Sequence, residues 1–540
     1  MKRTRAAIAA ILLIGTLGLA ACARQGSGTA GKPGAAGTGT AAQGSAPAGE
    51  PRTGGVLRVA LNSEPPTLDY QYTTAGLTKK VAWHIYETLF TLGKNYEVVS
   101  MLAEKADVSS DGKTYTITLR RDVPFHNGKI MTAEDVVASL ERWAQLAPSG
   151  RALFANVESL TAPDPHTVVF RLKEPYSSLL PALASTDQAP AIMPREIAEA
   201  AGKDPVKEIV GTGPYRLAEW KKDQYIRLVR FDRYAARPEP AEGLGGKKVA
   251  YLDEIRFLPV KDPTVRADGV QTGEYDVADI IPADQYERLK DNPELQVVIE
   301  KPFRWVVGVF NTVKPPFNDV RVRQAALAAV NPAEVMAAAI GPQEFWRLDP
   351  GLQFQEQVYH STAGAEYYNQ NSPEKARRLL QEAGYAGQPV ILLTTKDYDY
   401  MYKAALVTKS HLEAAGFKVD LQVYDWPSLV ERRARKDAWD MFFTGILFSA
   451  DPSQIPFIGA RGAWPGWWTS ERVQHLMKEF NAATDTAQRK AVFDRIQQAF
   501  YEEAPMIKYG DAFEQVVLSR KVQGYVNRFD IAFWNVWKTE

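Results

Sequence analysis

The sequence has a single cysteine, Cys22, among its 540 residues. The chain beyond it therefore has no internal disulfide, no catalytic thiol and no cysteine ligand for a metal. Histidine is also scarce, and the spacing of the six histidines fits neither the i, i+4 pattern nor the short-loop pattern of a preformed metal site. We predict no bound metal and no cofactor. The histidines are His84, His126, His166, His360, His411 and His475.

A surplus of one charge and a second long apolar run are missing as well. Lysine plus arginine and aspartate plus glutamate both number 64, so the net charge is +0. Nucleic-acid-binding proteins usually carry a basic excess, and we predict no nucleic-acid partner. After the N-terminal segment, no apolar run approaches the roughly 20 residues that span a bilayer.

Motifs of catalysis are absent too. The chain has no HExxH and no Gly-x-Ser-x-Gly motif. One Gly-x-Gly-x-x-Gly occurs at residues 26–31, but no strand or helix is expected around it, and Pro33 replaces the Ser or Thr of a phosphate-binding loop. We predict that the protein is not an enzyme. A secreted hydrolase stays the alternative from another class, because a triad assembled from distant segments leaves no local motif.

The N-terminus has the pattern of an export signal. Basic residues at positions 2, 3 and 5 precede an apolar segment at residues 6–19. The tetrapeptide Leu-Ala-Ala-Cys that ends at Cys22 is typical of a lipoprotein cleavage site. We predict a signal peptide at residues 1–22, lipidation of Cys22 and an extracytoplasmic protein anchored to the membrane through this lipid. An ordinary signal peptide with a chance cysteine is the alternative.

Residues 23–53 consist mostly of Gly, Ala, Ser, Thr, Pro and Gln. They offer no aromatic or branched aliphatic side chain to a core, so we predict a disordered tether. The remaining chain, about 490 residues, exceeds the size of one core and predicts two or three lobes.

Local periodicity predicts the elements of this body. We predict strands at residues 54–61, 114–120 and 166–172 and a helix at residues 81–90. Thr132, with an acid three residues later, fits the N-cap of a further helix. In the second half, alternating strands and helices indicate a largely parallel sheet covered by helices. Their predicted order is helix 373–383, strand 389–395, helix 400–415, strand 417–424, helix 427–436 and strand 439–446.

Tryptophans cluster in one Gly- and Pro-rich segment at residues 462–468, which is not typical of a core helix. The rings of Trp464, Trp467 and Trp468 could stack on a ligand or seal an interface between lobes. Both interpretations stay open, and we take Trp467 and Trp468 as candidate ligand contacts.

Several groups of residues follow one another in the order and spacing of a known family. They are Leu68-Asp69, Phe125-His126-Asn127-Gly128 with Thr132-Ala133-Glu134-Asp135, Gly211-Thr212-Gly213-Pro214-Tyr215, Asn311 with Pro315-Pro316-Phe317, residues 319–323, and residues 376–384. With them the chain resembles the family 5 (peptide/nickel-type) solute-binding proteins of bacterial ABC transporters, as a lipoprotein member. The resemblance covers nearly all of the body.

This resemblance implies an α/β fold like the type II periplasmic-binding proteins, with two main lobes, an inserted lobe, and a ligand cleft between lobes joined by a two-crossing hinge. The ligand touches both faces of the cleft only in the closed form, so binding favours closure. The implied partner is an ABC permease in the cytoplasmic membrane, and we expect a monomer. The implied lobe I comprises residues 54–87, 210–311 and 504–540, lobe II residues 88–209 and lobe III residues 312–503.

The resemblance also implies a binding site. In peptide-binding members the ligand backbone pairs with two main-chain segments, which here are Thr74-Ala75-Gly76 and Gly445-Ile446-Leu447. The acid that holds the ligand ammonium follows the second segment, but Ser449 stands at that position in this chain. Asp451 is the nearest substitute, and starting the turn at Pro452 is its alternative role.

On the other side of the cleft, dipeptide receptors use an arginine to hold the ligand carboxylate. The matching stretch here contains Lys396 and Tyr398, and Lys396 could act as a point charge without the bidentate fork of arginine. Arg304 and Trp305, before the implied crossing to lobe III, are further candidates for a cleft-facing cation and ring.

We expect a receptor for a peptide or peptide-like solute. A receptor of the same fold for a non-peptide solute, such as an oligosaccharide or an opine, is the alternative that Ser449 and the tryptophan segment favour. A nickel chelate fits less well, because the histidines offer no obvious arrangement. A structural or chaperone-like surface protein, which does not close on a small solute, is a further option.

Overall fold

The computed structural model describes residues 49–459, 462, 464–527 and 529–539. The predicted signal peptide, Cys22 and residues 23–48 of the predicted tether lie outside the described residues. Within the described part of the chain, none of the helices combines the length and the apolar character needed to cross a membrane.

Strands form the central layers of the body. They are β1 (Val56–Leu61), β2 (Phe90–Leu92), β3 (Val98–Ser100), β4 (Ala103–Val108), β5 (Thr114–Leu119), β6 (Val157–Asp164), β7 (Thr167–Leu172), β8 (Tyr215–Lys221), β9 (Tyr225–Arg230), β10 (Glu254–Pro259), β11 (Val277–Ile281), β12 (Leu295–Phe310), β13 (Trp346–Arg347), β14 (Pro389–Thr395), β15 (Lys418–Tyr424), β16 (Met441–Leu447), β17 (Met506–Ser519), β18 (Val522–Gln523) and β19 (Trp537–Lys538).

Helices accompany these strands along the whole body. They are α1 (Gly76–Ala82), α2 (Ala133–Leu146), α3 (Pro148–Phe154), α4 (Leu179–Leu183), α5 (Arg195–Ala201), α6 (Pro263–Gln271), α7 (Tyr286–Leu289), α8 (Val320–Ala329), α9 (Pro332–Ile340), α10 (Pro373–Ala383), α11 (Asp399–Ala414), α12 (Trp426–Arg433), α13 (Pro456–Gly459), α14 (Glu471–Ala482) and α15 (Thr486–Glu503).

The main sheet has the strand order β15-β14-β16-β12-β17-β11-β1-β10-β9-β8. β14 pairs in parallel with both β15 and β16, as the alternating pattern of strands and helices predicted. β12 pairs antiparallel with β16 and β17, and β17 pairs antiparallel with β11. The sheet as a whole is therefore mixed. In the second half of the chain, the parallel pairs are those in which helices return the chain between strands. β1 also pairs in parallel with β10 and β11.

Two long strands, β12 and β17, join the two ends of this sheet. The first part of β12, from Leu295 to Glu300, pairs with the end of β17 that lies beside β11. The second part, from Arg304 to Phe310, pairs with β16 as well as with the start of β17. The register shifts between Glu300 and Arg304, where the strand passes from one half of the sheet to the other.

A separate antiparallel sheet with the order β4-β5-β7-β6 forms the centre of lobe II, between β1 and β8 in the chain. Its core packs around large buried side chains that include Phe125 and Trp143. Distinct cores surround Trp534 in the β1 half of the main sheet and Trp439 in the β14 half. The body is thus a mixed α/β fold with two main lobes and an inserted lobe.

The helix predicted at residues 81–90 is wrong in extent. The helix α1 ends at Ala82, and Phe90 begins a strand. The carbonyl groups of His84 and Ile85 accept hydrogen bonds from the backbone N–H groups of Tyr215 and Gly213, so the segment pairs with another part of the chain. Its continuous apolar pattern reflects burial on all sides and not the single buried face of a surface helix.

Capping residues were predicted more accurately. Ser372 caps α10, and Gly384 ends that helix in the left-handed conformation with φ 71°. The backbone N–H of Thr132 donates to the carboxylate of Asp135 at 2.9 Å, as in the predicted start of α2. These signals lie within a few residues of the element that they end, which makes them readable from sequence.

Candidate ligand-binding cleft

A cavity of about 490 Å³ lies where three parts of the chain meet. A volume of this size falls within the usual range of small-molecule sites. Lobe I contributes the loop before α1, lobe II contributes α3 and the end of α4 with the loop after it, and lobe III contributes the loop after β16 and one tryptophan. The lining residues are Thr74, Pro148, Ser149, Ala152, Tyr176, Ala182, Ser185, Thr186, Asp187, Gln188, Phe448, Ser449, Ala450, Ser453, Gln454, Ile455, Pro456, Trp464 and Pro465.

The loop after β16 forms the lobe III wall of the cavity. The carbonyl oxygen of Ser449 accepts hydrogen bonds from the side-chain amides of Gln353 at 3.1 Å and Gln357 at 2.7 Å. The ring of Phe448 stacks on Phe529, with centroids 6.0 Å apart. These contacts hold the backbone of the loop, so that Ser449 lines the cavity at the position where the sequence places it.

The carboxylate of Asp451 is engaged inside lobe III and is not part of the cavity lining. It accepts a hydrogen bond from the backbone N–H of Ser453 at 2.9 Å, as the N-cap of the short helical turn Pro452–Gln454. It also accepts one from the guanidinium of Arg489 at 2.8 Å, and both side chains are buried. Asp451 therefore starts the turn at Pro452, as in its alternative role, and ligand binding by Asp451 stays a prediction.

Direct hydrogen bonds close the cavity between lobes II and III. The backbone N–H of Ser177 donates to the carbonyl of Asn481 at 2.7 Å, and the side chain of Gln454 donates to the carbonyl of Pro181 at 3.1 Å. Arg489 donates to the hydroxyl of Ser178 at 2.9 Å, so the ion pair with Asp451 extends across the same contact. In this structure the two lobes touch on one side of the cavity.

The loop after α4 forms the lobe II wall, and neither its position nor its role was predicted. Tyr70 donates its hydroxyl hydrogen to the carbonyl of Thr186 at 2.5 Å, and Trp143 donates its indole N–H to the carbonyl of Gln188 at 2.7 Å. The hydroxyl of Ser185 donates to the carbonyl of Asp187 at 3.1 Å. In the sequence this loop is a short polar stretch without periodicity. It becomes part of a site only because it meets lobe III.

Asp187 places a carboxylate in this wall. Its side chain is 41% exposed, and its nearest cation is the ammonium of Lys79 at 3.8 Å. Partial burial raises the pKa of Asp187 above its usual 3.8, the nearby Lys79 opposes that rise, and Asp530 adds to it. Lys79 lies closer to Asp530, at 3.3 Å, so that its charge is shared.

The first predicted main-chain segment contributes to the cavity through one residue. Thr74 is exposed and lines the cavity, whereas Ala75 is the N-cap of α1 and Gly76 is its first residue. The carbonyl of Ala75 accepts the helical hydrogen bond from Lys79 at 3.3 Å, so the helix uses this acceptor. The segment therefore approaches the ligand region by its N-terminal residue.

The second predicted main-chain segment lies in β16 and leads directly to the cavity. Gly445, Ile446 and Leu447 pair with β12, and Leu447 is exposed. The pairing of β14 with β16 is limited to the first two residues of β16, so β14 leaves the edge beside Gly445 to Leu447 open. A side chain at Gly445 would meet the hydroxyl of Tyr400 at 2.7 Å, which explains glycine at this position.

The other predicted contacts lie outside the cavity lining. Arg304 forms an ion pair with Glu514 and places its guanidinium 4.9 Å from the centre of the Tyr400 ring. Trp305 is buried, and the ammonium of Lys508 lies 5.0 Å from its ring centre. Packing against β17 and Tyr400 therefore accounts for the contacts of both predicted residues.

Lys396 and Tyr398 lie after β14, on the surface of lobe III. The ammonium of Lys396 lies 5.0 Å from the ring centre of Tyr402. The ring of Tyr398 is 41% exposed and packs edge-on against Trp426, with centroids 5.0 Å apart. These residues do not line the cavity.

The tryptophan segment divides between ligand region and core. Trp464 lines the cavity. Trp467 packs on Trp439 with centroids 5.5 Å apart, and Trp468 donates its indole N–H to the carboxylate of Glu503 at 2.8 Å. Of the three rings, the structure thus places one at the cavity and packs the predicted contacts Trp467 and Trp468 within lobe III.

The sequence is similar to known solute-binding proteins of bacteria. The sequence profile described as bacterial extracellular solute-binding proteins, family 5 middle, matches residues 97–463. A probable peptide ABC transporter periplasmic-binding protein of Sinorhizobium fredii is 29% identical over 483 residues, covering 86% of this chain and 90% of its own length. The glutathione-binding protein of Salmonella typhi is 30% identical over 469 residues, covering 83% of this chain and 87% of its own length.

Solved structures with the same architecture include two that contain ligands. The periplasmic binding protein of Helicobacter pylori in complex with the peptide STSA is 24% identical, with a TM-score of 0.73 over 91% of this chain and 99% of that one. The binding protein of A. tumefaciens R10 in complex with agropinic acid is 25% identical, with a TM-score of 0.75 over 90% of this chain and 99% of that one. Both likenesses cover almost the entire body.

Proposed function

The chain belongs to family 5 of the bacterial extracellular solute-binding proteins, and we propose that it is the receptor that captures a peptide or peptide-like solute for an ABC importer. The observation that carries this proposal is the cavity of about 490 Å³ enclosed by residues of three lobes. A site whose walls come from different lobes binds fully only when the lobes are together. Ligand binding then shifts the population towards the closed form, which the permease recognises.

The hinge of this movement lies in β12 and β17, because these two strands take part in both halves of the main sheet. We place its centre at residues 301–303, within the register shift between Glu300 and Arg304. The proposed lobe boundaries at residues 311 and 504 then fall just outside the lobe III ends of these strands. Two crossings restrict the lobes to few directions of bending.

One strand edge next to the cavity supports a small peptide as the solute. The open edge of β16 beside Gly445 to Leu447 offers backbone groups to an extended ligand, as in strand addition. The relatives described as peptide- and glutathione-binding proteins support this choice of solute class. The protein acts in this proposal by binding and release, without catalysis.

A receptor for a non-peptide solute is the second candidate. Ser449 lines the cavity without a charge, and Trp464 offers one ring for stacking on a sugar or another flat solute. The structural relative that holds agropinic acid supports a non-peptide ligand within this architecture.

Native mass spectrometry of the purified mature protein separates these candidates. The instrument weighs the complex and fragments whatever solute has been retained. We expect a di- or oligopeptide or a peptide-like amine. A retained sugar would contradict the peptide proposal, and a protein that neither retains nor closes on any small solute would contradict the receptor proposal.

We propose further that lipid on Cys22 anchors the receptor outside the cytoplasmic membrane, with the permease as its partner and the receptor itself a monomer. The Cys22→Ala variant tests the anchor, and we expect precursor that carries no lipid and keeps its signal peptide, identified by its intact mass. Normally processed, lipid-bearing protein from this variant would rule the anchor out.

A further inference from the structure

The cavity lining, as far as the structure describes it, carries negative charge and no positive charge. Among the lining residues that the structure describes, Asp187 carries the one carboxylate, and none is lysine, arginine or histidine. The other polar groups are hydroxyl, amide and indole groups, which are neutral. A cavity of this composition favours a ligand that brings a positive charge.

The charge of Asp187 is only weakly compensated by its neighbours. Its contact with Lys79, at 3.8 Å, is longer than a hydrogen bond. Lys79 is shared with Asp530 at 3.3 Å, and Asp530 in turn contacts Lys80 at 2.5 Å, as does Asp279 at 2.9 Å. Two lysines thus face three carboxylates. Asp187, the carboxylate of this group that faces the cavity, can therefore accept a further cation.

The backbone around Asp187 is held by the rest of lobe II and lobe I. The hydrogen bonds from Tyr70 to Thr186 and from Trp143 to Gln188 fix the residues on either side of Asp187. Gln188 has a φ of 45°, a conformation that turns the chain sharply after the acid. A carboxylate on a fixed loop loses little freedom when it binds a ligand.

We propose that Asp187 binds a primary ammonium group of the solute, and that this contact on lobe II selects for amine-bearing ligands. The proposal rests on the receptor function proposed above and narrows its solute class. It also accounts for the uncharged Ser449 and the internally paired Asp451. In this chain the acid that meets the ligand amine stands on the opposite wall of the cavity.

The test compares two pools of compounds that differ at one amino group, which is free and charged in one pool and acetylated and neutral in the other. The first pool contains glutathione, dipeptides, tripeptides and amino sugars with free amines, and the second contains the same compounds N-acetylated. Protein freed of solute by unfolding and refolding is mixed with both pools in competition, and native mass spectrometry measures what is retained. We expect wild-type protein to retain free amines about ten- to a hundredfold better than their acetylated forms.

Variants assign this preference to one side chain. The Asp187→Asn variant should lose the preference, and Asp187→Glu should keep most of it, while circular dichroism and thermal melting confirm that both fold. Asp223→Asn is the matched control, since Asp223 is an exposed carboxylate in a turn between β8 and β9 and its φ of 59° suits asparagine. It should keep the full preference.

The possible results distinguish a failure of the role of Asp187 from a failure of the proposed receptor function. Equal retention of acetylated and free compounds, or an unchanged preference in Asp187→Asn, would overturn the role of Asp187 and leave the receptor function in place. Retention from neither pool would contradict the amine-receptor proposal as a whole, and with it the role of Asp187.

Discussion

Lobes II and III, which meet at the cavity, each carry an aspartate in this region, and the two aspartates have opposite surroundings. Asp451 on lobe III is buried, caps a helical turn and accepts a hydrogen bond from Arg489 at 2.8 Å. Asp187 on lobe II is 41% exposed and has its nearest cation at 3.8 Å. An acid with satisfied contacts stabilises the protein, whereas an acid with a long, shared contact can still bind a ligand. Asp451 lies close in sequence to the position of the family's acid and Asp187 lies far from it, so nearness to that position does not identify the acid that is available to a ligand.

The largest effect is expected from removing the paired acid. In Asp451→Ala, Arg489 stays buried without its carboxylate, and breaking a buried pair in this way costs about 3–5 kcal/mol. We expect the free energy of unfolding to fall by this amount in urea denaturation. Asp437→Ala is the control, because the side chain of Asp437 is 77% exposed, and its effect should stay close to zero. An unchanged stability of Asp451→Ala would show that the pair has no structural role.

A second effect is the dependence of folding stability on pH. It must be known before the pH dependence of ligand binding can be assigned to Asp187. Burial lowers the pKa of His84 from 6.5 to about 3. The unfolded chain therefore takes up a proton as the pH falls below 6.5, while the folded protein does so only near pH 3. Stability from this group is present above pH 6.5 and is lost on acidification, by about 2 kcal/mol between pH 7 and pH 5.

Urea unfolding at both pH values measures this loss. His84→Gln should remove about 2 kcal/mol of the difference between pH 7 and pH 5, whatever its effect on absolute stability. His475→Gln, at a side chain that is 75% exposed, should leave the difference as in wild type. An identical pH dependence in wild type and His84→Gln would refute the assignment.

A third effect should appear in ligand affinity at low pH. Burial raises the pKa of Asp187 above 3.8, although Lys79 opposes the shift, so its carboxylate protonates earlier on acidification than an ordinary aspartate. In the ligand-free protein, protonation removes a partly buried negative charge. A bound ammonium needs the ionised form, and its affinity should fall about tenfold per pH unit below the pKa of Asp187.

Isothermal titration with a free-amine compound retained by the wild type, at pH values where the fold is intact, checks this dependence. The Asp187→Asn variant should bind weakly and without the acidic limb. If both proteins lose affinity in parallel, the titrating group is elsewhere.

The smallest effect is expected where the two walls touch. Ser178 accepts a hydrogen bond from Arg489 across the contact between lobes II and III. In Ser178→Ala this contact is lost, and we expect the closed form to lose about 1 kcal/mol, which appears as a few-fold weaker affinity with little change in unfolding. Ser109→Ala, in a surface turn of lobe II, is the control. Equal affinities in both variants would show that the contact does not contribute to closure.

Sequence patterns were most informative where the physical cause is local. The strands at residues 389–395 and 417–424 were found because alternating elements carry turn signals at their ends. The segment at residues 81–90 was misjudged because its apolar run is explained by distant partners, Gly213 and Tyr215. A short buried helix and a short buried extended segment are both continuously apolar, so periodicity alone does not distinguish them.

The site was less readable than the fold. Ser449 could be proposed from the sequence because it follows a recognisable strand, and its contact with a ligand stays a prediction. Asp187 was missed because its significance depends on Tyr70, Trp143 and lobe III converging around one loop. Trp467 packs on Trp439 and Trp468 contacts Glu503, which the sequence could not show, because aromatic rings in a Gly- and Pro-rich segment look alike whether they face a ligand or pack on the protein.

The most direct test is a crystal structure of the protein with the amine-bearing solute that it retains. We expect the solute within the cavity, its ammonium nitrogen about 3 Å from the carboxylate of Asp187, and Asp451 still paired with Arg489. A solute bound outside the cavity, or one whose ammonium has displaced Arg489 from Asp451, would contradict the account.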